Sequence, residues 1–305
     1  MFSSDRIIAL DVGASGVTLA EFSLKGAGTI ELVKYGYESL GLGPDTDVDL
    51  SSYVVATVKE LLAEQGVKPG PILISISGRD VFPRYVKLPP VAGDKVLQMI
   101  AYEAEQNVPF PIDEVEWDHQ LLGETEDGLA VMLVAVKTEI VTQLTDAVIA
   151  AGCDPQVVDT APLALFNAAA HNYRDVEECV VVLDIGARST NLVFIDNGKV
   201  FSRSIPVAGN LITNEIAKEF EVSFDDAEEL KKQHAFVAFG GVYAGADDET
   251  ADRISKITRS IMTRLHAEVN RSINFYRSQQ GGTGSWSDSF VWWQFYYSPY
   301  RHILS

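Results

Sequence analysis

The 305-residue sequence predicts a two-lobed α/β protein with a duplicated core, and three observations predict it. A strand ending in Asp-x-Gly occurs twice, at Asp11-Val12-Gly13 and Asp184-Ile185-Gly186, roughly 170 residues apart. Each copy has the same sequel of small and hydroxyl residues, a strand, a glycine turn and a third strand. Between the copies lies a stretch with its own order of strands and helices.

The elements follow in order. Arg6–Leu10, Val17–Leu24 and Ile30–Tyr35 read as an antiparallel meander, its turns at Asp11–Gly16 and Gly26-Ala27-Gly28. Asp49–Gln65 is helical, with Leu50, Val54, Val58, Leu61 and Leu62 on one face and Gly66 closing it. Pro71–Ser77 is a buried strand. Val81–Leu88, Gly93–Gln106, Val115–Leu122, Leu129–Val136 and Thr138–Ala151 read strand, helix, strand, strand, helix: an α+β subdomain inserted into the first lobe. A helix near Pro162–Tyr173 precedes the second copy, whose strands are Cys179–Leu183, Asn191–Ile195 and Lys199–Ile205, with Asn197-Gly198 as a hairpin turn. Helices follow at Thr213–Phe220, Phe224–Gln233 and Asp252–Gln280, separated by a Gly- and Asp-rich loop at Gly240–Asp248. The last helix carries an apolar stripe from Ile254 to Tyr276 and stops at Gly281-Gly282. The expected domains are residues 1–80 (first lobe), 81–160 (insert), 161–178 (connecting helix), 179–282 (second lobe) and 283–305 (an aberrant tail).

Composition narrows the function. A net charge of −19 argues against nucleic-acid binding, which needs clustered Lys and Arg, and against adhesion to anionic lipid. The two cysteines, Cys153 and Cys179, form no Cys-x-x-Cys pair, so a reducing cytoplasm fits better than a disulfide framework or zinc site. Met1–Asp11 lacks the features of a signal peptide, and no window supplies the roughly 18 apolar residues of a spanning helix.

The repeated turn suits a phosphate. Glycine lets the backbone turn sharply and present amides to an anion. Ser and Thr add donors, and an Asp at the strand end can hold hydrated Mg²⁺. A single Asp-x-Gly is ordinarily only a turn; two copies in matching contexts point to a nucleotide gripped from both sides.

This pattern resembles the actin-like ATPase superfamily (the ribonuclease H-like duplicated fold), here with an inserted subdomain and a C-terminal truncation. Longer strings resemble the PilM family of type IV pilus assembly proteins, an FtsA-related branch: Val81–Val91, Tyr102–Pro111, Leu183–Leu192 and Leu265–Gly282. The resemblance runs from about Ile7 to Gly282. It implies ATP and Mg²⁺ as ligands, with the metal on Asp11 and Asp184 through water. It implies a nucleotide site made of Asp11, Gly13, Ala14, Ser15, Gly16, Asp184, Gly186, Arg188, Ser189, Thr190, Asn191, Gly209, Asn210, Glu228 and Lys231. Glu228 and Lys231, three apart on a helix, are alternatively an exposed salt pair.

The implied role is a cytoplasmic scaffold, peripheral to the inner membrane. Its partners are the N-terminal tail of a PilN-like protein, other pilus platform proteins and further copies of itself. Phe82, Arg84 and Lys87 are the candidate partner contacts; the alternative for the two cations is the solvated side of an edge strand. An FtsA-like division protein and a sugar or small-molecule kinase are the alternatives. No catalytic residue is assigned, and any ATPase activity is expected to be weak. Two departures stand out: Thr18 replaces the family's Lys beside the first loop, and Ala208-Gly209-Asn210 replaces Gly-Gly-Asn. Losing a phosphate-facing Lys weakens catalysis more readily than binding.

The tail after Gly282 does not follow the family. It holds three of the four tryptophans. One reading is an interfacial anchor, which its lack of helical period disfavours. The preferred reading is a shifted frame: Trp292-Trp293, encoded TGG-TGG, becomes Gly-Gly one base later, the start of the adenosine-contacting loop. On that reading this chain lacks the adenine side of the site.

Overall fold

In the computed structural model, residues 6–26, 29–41, 43, 50–90, 95–125, 128–173, 179–237, 249–279 and 290–293 are described. The expected loop at 240–248, the Gly281-Gly282 stop and the rest of the tail lie outside them. The chain clusters into two units. Met1–Leu42, Asp47–Asp175 and Asn197–Ser202 form the first; Gly43–Thr46, Val176–Asp196 and Arg203–Ser305 form the second.

The first unit begins with the meander β1 (Arg6–Val12), β2 (Gly16–Lys25) and β3 (Thr29–Ser39), all antiparallel. Helix α1 (Leu50–Glu64) leads to β4 (Pro71–Ile76), which runs parallel to β1. Alternation decides the packing. Ile8, Leu10, Val17 and Leu19 all point into a core completed by Val54, Val58 and Leu61 of α1. Each such buried Leu or Ile contributes roughly 1.5–3 kcal/mol.

Next comes β5 (Val81–Leu88), with α2 (Lys95–Asn107), β6 (Val115–Thr125) and β7 (Gly128–Lys137). The three strands form a separate antiparallel sheet in the order β5-β7-β6. Leu88, Ile100, Ala104, Val131 and Leu133 make the core between that sheet and α2. The expected insert, 81–160, ran further, through α3 (Thr138–Ala150) and a strand that alternation does not reveal, β8 (Asp154–Thr160). Both pack with the first sheet instead. Ala147, Val148 and Cys153 join the β1–α1 core, and β8 pairs parallel with β4. The first sheet is therefore five-stranded, in the order β3-β2-β1-β4-β8, followed by α4 (Ala161–Asn172).

The second unit repeats the plan with β9 (Val180–Ile185), β10 (Thr190–Asp196) and β11 (Lys199–Ile205). The hairpin turn takes positive φ at both Asn197 (50°) and Gly198 (75°), as a type I′ turn requires. Helices α5 (Gly209–Phe220), α6 (Phe224–His234) and α7 (Glu249–Gln279) follow. On α7 the expected stripe is buried at Ile254, Ile261, Leu265 and Val269, and Tyr276 stacks on Phe194 at 4.7 Å.

Within the tail, Phe290–Trp293 form β12, parallel to β9. Its register repeats the first unit's: Trp293 stands opposite Asp184 as Ser75 stands opposite Asp11. This piece of the tail thus holds, beside β9, the place that β4 holds beside β1.

The turn and first half of β11 cluster with the first unit. There the Ser202 amide donates to the Tyr85 hydroxyl at 2.8 Å, and Tyr85 packs on Phe201 at 4.9 Å. Burial pushes the Tyr85 phenol up to about 12.

Candidate functional site

The two Asp-x-Gly loops are the same turn. In the first, the Gly13 amide donates to the Gly16 carbonyl at 2.9 Å; in the second, the Gly186 amide donates to the Ser189 carbonyl at 3.0 Å. The registers agree as well, Asp11 opposite Thr18 and Asp184 opposite Asn191. Glycine leaves room in each for a different neighbour. A Cβ on Gly186 would lie 2.9 Å from the Ser189 carbonyl, and a Cβ on Gly16 would lie 2.5 Å or less from the Tyr37 ring. The first loop is also pinned at Ser15, whose carbonyl accepts from the Leu40 amide at 2.9 Å and the Ser39 hydroxyl at 3.3 Å.

Asp184 is the most informative residue of the second loop. Burial raises its carboxyl above the ordinary range, and a hydrogen bond from Asn191 opposes that rise. The Asn191 Nδ2 donates to Asp184 Oδ2 at 2.9 Å. The other amide atom, Oδ1, is buried without a partner. A buried carboxylate and a buried lone acceptor side by side, with no cationic side chain paired to Asp184 among the described residues, suit a hydrated divalent cation. The waters of such an ion would donate to both oxygens. The residues therefore fit Mg²⁺.

Several expected phosphate contacts do something else. Thr190 is fully buried and its hydroxyl donates to the Val207 carbonyl at 2.6 Å. The amides of Gly209 and Asn210, at the start of α5, donate to the Gly186 and Ala187 carbonyls at 3.0 and 2.8 Å. These three residues brace the loop. Arg188 and Ser189 lie within it, half-buried.

Glu228 and Lys231 do share a face of α6, and they converge on α5. The Lys231 ammonium donates to Glu228 at 2.5 Å and to the Thr213 hydroxyl at 2.9 Å; that hydroxyl donates to Glu228 at 2.6 Å. Lys231 is pulled below the usual lysine value, chiefly by burial, with Glu228 opposing. A partly buried triad is a sturdier object than the exposed salt pair of the alternative reading. Thr213 was not foreseen, because only the packing of α5 on α6 brings it there.

Two of the candidate partner residues are engaged within the first unit, and none of the three is among the residues that line its groove at β6. Phe82 packs edge-on against Phe110 at 4.7 Å, and Arg84 donates to the Asn107 carbonyl at the end of α2 at 3.1 Å. Lys87 is exposed on β5, an edge strand. A groove of about 560 Å³ lies elsewhere in the first unit, along β6, the other edge. Its floor includes Ile76, Met132, Val136 and Val158, its rim Glu116 and Asp118, and among the described residues no Lys or Arg lines it. Its lining also includes Asp159 and Thr160, which sequence reading missed along with β8. Burial raises the Asp159 carboxyl above its ordinary value, opposed by donation from the Thr160 amide at 2.7 Å and from Asn167.

Among the described residues no helix is long and apolar enough to cross a membrane, and no cluster of His, Cys, Asp or Glu could hold a metal by itself.

The duplicated sheet with paired Asp-x-Gly loops defines an actin-like ATPase fold. Solved structures agree. A PilM-PilN type IV pilus biogenesis complex matches with TM-score 0.73 and 27% identity over 90% of this chain and 78% of that one. EutJ from Carboxydothermus hydrogenoformans matches with TM-score 0.51 and 14% identity over 96% and 76%. MreB5 of Spiroplasma citri, crystallised with AMPPNP, gives 0.50 and 13% over 90% and 80%. The model of type IV pilus assembly protein PilM matches residues 9–280, and the chain belongs to that family. It is also similar to the cell division protein FtsA, at 24% identity over 76% of this chain in Pseudomonas aeruginosa and 30% over 48% in Bacillus subtilis. It spans 62% and 31% of those two relatives' lengths.

Proposed function

We propose that this protein is an ATP-binding scaffold of a type IV pilus assembly platform, working on the cytoplasmic side of the inner membrane through its partners. The observation that carries the proposal is the identical turn at Gly13–Gly16 and Gly186–Ser189, each beside a strand-end aspartate. Each loop, taken by itself, is a glycine turn of the kind that cradles phosphate oxygens. Asp184 and Asn191 would hold Mg²⁺ through its waters in the second loop, and Asp11 is the matching strand-end carboxylate of the first. When bound, the ion offsets phosphate charge. The triad of Lys231, Glu228 and Thr213 offers charged hydrogen-bonding groups for the nucleoside. ATP acts as a structural or switching ligand.

The partner reading moves from β5 to β6. A PilN-like tail fits the groove better than Phe82, Arg84 and Lys87, because the groove offers an apolar floor beside β6, an edge strand of its sheet among the described residues. An extended segment can add main-chain hydrogen bonds to such an edge. Other platform proteins and further copies of the chain are additional partners of the scaffold.

Titration of a fluorescent ATP analogue tests the nucleotide half: saturable binding that Mg²⁺ strengthens and Asp184→Ala weakens about tenfold or more is expected. Pull-down with the PilN-like protein of the same genome tests the partner half, with loss on Val158→Glu. Absence of nucleotide binding, or sugar-dependent ADP release, sinks the scaffold reading.

A further inference from the structure

We infer that Asp159 couples the β6 groove to the first phosphate loop, so that a cationic partner segment in the groove and a nucleotide at Asp11 strengthen each other's binding. This rests on the nucleotide reading above and adds to it a partner chemistry and a regulation.

Two independent observations meet at Asp159. The first is register. Asp159 stands opposite Ser75 of β4, and Ser75 stands opposite Asp11 of β1, so the three share one row of the sheet. At the usual spacing of neighbouring strands, Asp11 and Asp159 are roughly 10 Å apart. The second is the groove, which Asp159 and Thr160 help to line. The Thr160 hydroxyl is buried, 8% exposed as a residue, and has no partner. A buried hydroxyl left unpaired is costly, and it marks a place where a ligand's polar group is accommodated.

The occupant's chemistry follows from the walls. An apolar floor calls for apolar side chains, and Glu116 and Asp118, with His119 beside Asp118 at 3.6 Å as the one ionisable base of the lining and no Lys or Arg there among the described residues, call for positive charge. Asp159 receives neutral donors, the Thr160 amide and Asn167, so no cation among the described residues balances its charge locally. An extended peptide with alternating apolar residues and one guanidinium satisfies all three features.

The sign of the coupling is set by charge. The complex of Mg²⁺ with ATP is anionic, and an unbalanced carboxylate about 10 Å away repels it. A guanidinium docked on Asp159 cancels that repulsion. At this distance and with partial screening, the gain is about three- to tenfold in nucleotide affinity, and linkage requires the nucleotide to tighten the peptide by the same factor.

The test uses the full chain, a fluorescent non-hydrolysable ATP analogue with Mg²⁺, and a panel of twelve-residue peptides alternating leucine with serine. Each carries a single arginine, placed at successive positions, or neutral citrulline in its place. The best arginine peptide is expected to tighten nucleotide binding about three- to tenfold, and its citrulline twin not at all. Asp159→Asn is expected to bind nucleotide more tightly without peptide, by the same factor, and to gain nothing from arginine. Asp159→Glu, which keeps the charge, retains the coupling and guards against misfolding of the Asn variant. The inference is overturned if Asp159→Asn keeps the arginine gain, if citrulline works equally well, if Asp159→Asn weakens nucleotide binding, or if no peptide of the panel binds. A wild-type chain that binds no nucleotide overturns the Proposed function itself.

Discussion

Asn191 holds Asp184 with one end of its amide and leaves the other end buried and unpaired: Nδ2 donates to the carboxylate at 2.9 Å, while Oδ1 meets no partner. Because burial raises the Asp184 carboxyl, its ionised form is costly in the folded state. Between the ordinary carboxylate value and the raised one, the folded chain binds the extra proton. Its stability therefore falls as pH rises through that window and stays lower above it. Asp184→Asn should raise the ligand-free melting temperature at pH 7 by about 2–4 °C and have little effect at pH 4. The same variant should lose Mg²⁺-dependent nucleotide binding. Melting curves in EDTA and nucleotide titrations check the two halves.

Gly186→Ala should be worse than Gly16→Ala. The first sets a methyl against a backbone carbonyl at 2.9 Å, and the second against the far end of the Tyr37 ring, which can swing aside. Denaturant unfolding is expected to show a loss of about 2–3 kcal/mol for Gly186→Ala and about 1 kcal/mol for Gly16→Ala. Replacing Tyr37 with Ala in the Gly16→Ala background should remove the clash, making the pair non-additive.

Thr190→Val separates a brace from a ligand. It removes the hydroxyl donated to Val207 and leaves that carbonyl unpaired, at a cost of about 1–2 kcal/mol. Nucleotide affinity measured well below the melting temperature should be unchanged. A large loss of affinity at intact stability makes Thr190 a phosphate ligand after all.

The Lys231 triad predicts coupled energies. Glu228→Gln leaves a partly buried ammonium with a weaker partner and should cost about 1–2 kcal/mol. Thr213→Val should cost a similar amount alone. A double-mutant cycle in denaturant is expected to give a coupling of at least about 0.5 kcal/mol, since both groups meet the same ammonium.

Much of the fold was legible because its signals are local. The apolar faces of α1 and α7, the type I′ turn at Asn197-Gly198 and the repeated Asp-x-Gly turns each lie within a few residues of sequence. β8 was not legible: Asp154-Pro155-Gln156-Val157-Val158-Asp159-Thr160 has no alternation, and it becomes a strand because β4 offers a parallel edge. Losing β8 hid Asp159, Thr160 and their share of the groove lining. It also made the insert look longer than the β5–β7 sheet with α2.

The sequence by itself determined the duplicated plan, the two Asp-x-Gly turns and the family, since turn chemistry and periodicity are properties of neighbouring residues. Only the tertiary structure decided what individual side chains do. Thr190 turned inward to Val207, Gly209 and Asn210 spent their amides on the second loop, and Arg84 was tied to the end of α2. The row from Asp11 through Ser75 to Asp159 is a matter of strand register. It joins residues nearly half the chain apart, through backbone pairing that no local pattern encodes.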